Sequence, residues 1–123
     1  MRWLFLVAGV LCLVTGVLHA VMGGIETLNP IMASKVDMSV RAAIMIIWHA
    51  ITAMFALSML AFFWAFAVDR QKARPIGFLL GSFYLIFAGL SAGLSLLWFE
   101  DPMVLPQWTL LAPIGIFALI ATV

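Results

Sequence analysis

The stretch WLFLVAGVLCLVTGVLHAVMGGI, Trp3–Ile25, carries no charged side chain, and its reading decides the fold. An α-helix rises ~1.5 Å per residue, so twenty residues cross a hydrocarbon core ~30 Å thick. Lipid offers backbone N–H and C=O groups no partner, so an apolar run of this length is expected to close its own hydrogen bonds as a helix. Three more charge-free runs follow, Ala42–Val68, Pro75–Phe99 and Pro102–Val123, each longer than twenty residues. Every charge falls outside them: Arg2, then Glu26 to Arg41, then Asp69 to Arg74, then Glu100 and Asp101.

The expected fold is therefore all-α, a single integral membrane domain over residues 1–123 with spans at about 3–24, 42–68, 75–98 and 103–123. Short connections make consecutive spans antiparallel neighbours in an up-down-up-down bundle.

Hydrophobic residues make up 67% of the chain and charged residues 9%, which excludes a soluble catalytic domain. A net charge of +1 gives no reason to expect a nucleic-acid partner. Cys12 is the single cysteine, so there is no internal disulfide and no CxxC redox motif. The first run exceeds the apolar core of a usual signal peptide, and Leu18-His19-Ala20 lacks the small residue a cleavage site wants two positions before Ala20. It is read as the first span.

Arg2, Arg70, Lys72 and Arg74 lie on one side of this arrangement, and Lys35 and Arg41 on the other. The positive-inside rule then puts both ends of the chain in the cytoplasm, with a bacterial inner membrane as the expected address. Gly23-Gly24 and Asn29-Pro30 are expected to break the first helix. Ser34 and Asp37 have capping-box spacing ahead of the second helix, and Pro75 is expected in the first turn of the third. Pro102 and Pro106 frame the last turn outside the membrane, and Pro113 interrupts the fourth span.

Small residues let membrane helices approach closely, so they mark inward faces. In the first run Gly9, Cys12, Gly16, His19, Gly23 and Glu26 recur at alternating steps of three and four. The third run repeats the pattern through Gly77, Gly81, Tyr84, Ala88, Ser91, Ser95 and Trp98, and it carries Gly77-xxx-Gly81 and Gly89-xxx-Gly93. The packing seam is thus read as Gly9, Gly16, Gly23, Gly77, Gly81, Ser91 and Ser95.

The two histidines, His19 and His49, both fall inside runs. Ionisable residues within a membrane usually face the bundle interior or a water-filled cavity, which makes this pair the candidate cofactor site. Two imidazoles from facing helices suit haem b; His19 and His49 with Glu26 suit a transition metal. A structural role, with each imidazole hydrogen-bonded across helices or at headgroup level, competes with both. Tyr84, Ser91 and Ser95 suit either a polar path or interhelical hydrogen bonds. No acid or base occupies the middle of a run, so an ion-coupled transporter lacks its coupling residue.

The leading expectation is a non-catalytic accessory or assembly subunit of a larger membrane complex. Its partners are membrane lipid and other membrane subunits or further copies of itself. A small redox protein and a small-solute channel or transporter are the alternatives.

Overall fold

The computed structural model describes every residue from Met1 to Val123. The chain is all-helical, with no strand: α1 is Trp3–Met32, α2 Met38–Ala67, α3 Arg70–Phe99 and α4 Trp108–Thr122. The first three, of 30 residues each, are long and apolar enough to cross a membrane. The most extensive contact is between α3 and α4, followed by α1 with α2, α1 with α4, and α2 with α3.

The expected break in the first helix does not occur. α1 runs on through Gly23-Gly24 and Asn29-Pro30 because His19–Leu28 winds as a π-helix, in which the Asn29 N–H bonds to the Gly24 carbonyl five residues back. Glycine costs a helix only ~1 kcal/mol relative to alanine, less than leaving backbone groups unpaired in apolar surroundings. Pro30 then falls where the π-helical winding passes into the short α-helical segment Asn29–Met32 that ends the helix.

The boundaries of the other helices differ as well. Ser34 does not cap α2; its hydroxyl donates to the Ile31 carbonyl at 2.6 Å and so closes α1. The residue before α2 is Asp37, whose side chain makes no capping hydrogen bond. α3 starts at Arg70, well before its apolar run, which moves Pro75 from the first turn into the second. α4 starts at Trp108 rather than near residue 103, so its 15 residues extend about 22 Å, short of a ~30 Å core.

Side chains of α3 explain the late start of α4. The Ser95 hydroxyl donates to the Asp101 carbonyl and accepts from the Leu105 N–H. Ser91 donates to the Leu105 carbonyl at 3.0 Å, and the Trp108 indole N–H donates to the Pro102 carbonyl at 2.9 Å. Prolines 102 and 106 also bias the residues before them away from the helix.

The core gathers where α1 begins and α2 ends. Phe5, Phe62, Tyr84, Ile114 and Cys12 are fully buried there. A column of rings runs from Phe5 to Phe62 (6.3 Å between centroids), Tyr84 (6.5 Å), Phe55 (6.0 Å), His19 (5.9 Å) and Trp48 (4.1 Å). The other end of the molecule is looser: all buried residues of α2 are Phe55, Ser58, Phe62 and Ala65, so nothing from Met38 to Met54 is buried.

Six glycines mark where helices close on one another, Gly115 of α4 among them, against the Gly81 carbonyl at 2.8 Å. A Cβ on Gly9 would meet the Phe63 ring at 2.5 Å, one on Gly16 the Phe55 Cβ at 3.0 Å, and one on Gly23 the Trp48 indole at 3.0 Å. Gly77 faces Thr122 and Phe5 at 2.6 and 2.7 Å, and Gly81 faces Leu119 at 2.8 Å.

Candidate functional site

The two candidate histidines take different roles. His19, half-buried on the π-helical part of α1, stacks on the Trp48 indole with ring centroids 4.1 Å apart and planes 19° apart. Its Nε2 lies 3.3 Å from the Trp48 carbonyl. A carbonyl oxygen can only accept, so Nε2 carries the proton and donates. With Nε2 engaged by α2, Nδ1 is the ring nitrogen that keeps a free lone pair.

His49 follows Trp48, and consecutive helical residues diverge by about 100°. Trp48, not His49, therefore stands against His19. His49 is exposed and takes no part in the side-chain hydrogen bonds of the chain. Glu26, on the continued helix, is exposed too. No group of three or more His, Cys, Asp or Glu side chains converges anywhere in the fold.

Between α1 and α2 the loose end of the molecule leaves a cavity of about 330 Å³. Gly24, Leu28, Asn29, Trp48, His49 and Thr52 are among its walls. The π-helical turn sets its shape. Gly23 receives the edge of the Trp48 indole, whereas a Cβ on Gly24 would meet nothing within 4 Å. Thr52 sits one turn below Trp48 and donates to its carbonyl at 3.2 Å. A second cavity of about 220 Å³ continues along the same two helices, sharing Ala20 and Thr52 and lined by Cys12, Gly16, Phe55 and Met59. Trp48, Asn29, Thr52 and Gly24 are the residues the sequence did not single out here. His49, a wall of this cavity, is the residue through which the sequence pointed to this segment.

The polar residues of α3 have local tasks. Ser91 and Ser95 hold the 100–107 connection, as described above. Tyr84 is fully buried, and the Cys12 Sγ lies 3.5 Å from its hydroxyl oxygen.

Along its exposed face α3 presents an unfilled notch. Gly89 and Gly93 are exposed, and a Cβ added at either meets nothing within 4 Å. Ile86, Leu90 and Leu97 flank them at 63%, 56% and 75% exposure, an apolar rim around two bare stretches of backbone.

No known family, curated protein or solved structure matches this chain.

Proposed function

We propose that this chain is an integral membrane protein of four alternating spans that serves as a non-catalytic subunit, docking a partner's transmembrane helix on α3. The observation carrying this reading is the vacant Gly89-xxx-Gly93 notch. Small-xxx-small spacing brings two helix backbones together in lipid, where close packing rather than hydrophobicity drives association. The same helix already uses Gly77 and Gly81 in this way toward α1 and α4. A second glycine pair with nothing against it is the matching half of a contact between chains.

Alternation of the spans is supported by which ends meet. Phe5, early in α1, packs on Phe62, late in α2, and His19 meets Trp48, so these helices run in opposite directions. Gly81 against Leu119 and Gly115 against Leu85 give the same sense for α3 and α4. α4, with its 15 helical residues, crosses with local thinning of the bilayer, the usual accommodation of a short span. The basic residues Arg2, Arg70, Lys72 and Arg74 favour an orientation with both ends of the chain in the cytoplasm, as in a bacterial inner membrane.

The redox alternative asks both imidazoles to share one metal or haem. His19 stacks on Trp48 rather than on His49, and no third His, Cys, Asp or Glu joins either imidazole, so subunit docking is the better-supported reading. A channel is less well supported still, because Ser91 and Ser95 are spent on the 100–107 connection.

Gentle extraction from native membranes tests the proposal. The wild-type chain, 13.5 kDa, should migrate with a stable partner or a further copy of itself. Gly93→Leu should reduce that association at least about tenfold, equivalent to ~1.4 kcal/mol, with unchanged helicity. A wild-type chain that extracts as a monomer overturns the docking reading. A haem absorption band lost in His49→Ala would restore the redox one.

A further inference from the structure

We infer that the groove between the His19–Asn29 segment of α1 and the start of α2 binds one prenyl-tailed quinone, an uncharged carbonyl-bearing ring on an apolar chain. The inference rests on membrane insertion but not on helix docking, which uses a different face. The two cavities form a continuous slot of graded polarity. The wider one, about 330 Å³, carries Asn29, His49 and Thr52; the narrower one, about 220 Å³, is walled mostly by apolar side chains. Ligand sites typically have this size and this mixture, with a few polar groups fixing the orientation of a largely apolar molecule.

The lining also selects the kind of head group. Neither cavity is lined by Lys, Arg, Asp or Glu, so nothing there offsets a phosphate or an ammonium. The His49 imidazole and the Asn29 amide, both exposed, offer hydrogen-bond donors suited to carbonyl oxygens. The Trp48 indole forms an aromatic wall, held in place by His19 stacked against it and by its edge in Gly23. A flat ring packs on such a wall by offset stacking, which a glycerol head group cannot do. Gly24 keeps the floor of the wide cavity empty, and the π-helical winding that turns it there is a feature often found at functional sites. Being on a lipid-facing flank, the groove receives its ligand from the bilayer.

The test uses the full chain in phosphatidylcholine nanodiscs titrated with decylubiquinone, a quinone with a short saturated tail, and follows quenching of tryptophan fluorescence. The expected result is saturable quenching at one quinone per chain, most of it lost in Trp48→Phe. Because phospholipid is in great excess, saturation also shows preference over an acyl chain. Gly24→Leu fills the wide cavity and should weaken binding at least about tenfold. His49→Leu, on an exposed residue without packing duties, should weaken it several-fold even if Gly24→Leu fails to fold. Gly93→Leu should leave binding unchanged while lowering partner association, which separates the two proposals. Quenching that rises linearly with quinone in the wild type, or affinity unaltered in His49→Leu, overturns the inference.

Discussion

Gly115→Ala is the sharpest probe of how this bundle is held together. The added Cβ would stand 2.8 Å from the Gly81 carbonyl oxygen and 2.7 Å from the Leu85 Cγ. Leu85 can change rotamer, but the carbonyl belongs to the α3 backbone and moves only if the helix moves. Carbon–oxygen contacts between packed helices normally sit at about 3.3–3.6 Å, so α3 and α4 must separate locally by half an ångström or more. Overpacking of this kind costs typically ~1–3 kcal/mol. Against it stands the helix propensity of alanine, worth up to ~1 kcal/mol over glycine.

Gly89→Ala supplies the reference, since its Cβ meets nothing and gains the propensity alone. The propensity contribution is common to both variants, so the difference between them isolates packing at about 1–3 kcal/mol. Reversible unfolding by SDS in mixed micelles, followed by far-ultraviolet circular dichroism, measures both. Equal stabilities for Gly115→Ala and Gly89→Ala would refute close backbone approach between α3 and α4.

Phe62→Ala removes a fully buried ring from the middle of the aromatic column and should cost about 3–5 kcal/mol in the same assay. Ser95→Ala leaves the Leu105 N–H and the Asp101 carbonyl without their shared partner, a loss of about 1–3 kcal/mol; hydrogen exchange at residues 101–105 should accelerate while the middle of α3 stays protected. His19→Ala should destabilise by roughly 1 kcal/mol and alter the tryptophan emission, because it removes both the stack on Trp48 and the bond to its carbonyl, whereas His49→Ala should leave stability unchanged. Cys12, fully buried, should resist N-ethylmaleimide in the folded protein and react fully in SDS.

Helical character was legible in the sequence wherever hydropathy alone decides it, because an apolar backbone must satisfy itself. Helix ends were read less well. Gly23-Gly24 and Asn29-Pro30 carry every local signal for a break, yet π-helical winding carries α1 past both. The start of α4 depends on Ser91 and Ser95, which lie on α3 and meet the 101–105 backbone only because the chain turns back on the helix there. The histidines show the same limit. Their depth along two helices could be counted from the chain, but the rotation that sets Trp48 against His19 and turns His49 outward could not.

By itself, then, the sequence determined an all-helical chain with apolar helices long enough to cross a membrane, since length and hydropathy are additive along the chain. Which glycines are filled and which are vacant was decided only by the tertiary structure. Gly77-xxx-Gly81 and Gly89-xxx-Gly93 are the same motif on one helix, and nothing local tells them apart. The difference lies in their neighbours: α4 and Phe5 of α1 close over the first pair, while no other helix comes within 4 Å of a Cβ at the second. The α1–α2 groove arises likewise, from helices that pack tightly at one end and leave nothing buried along the first half of α2.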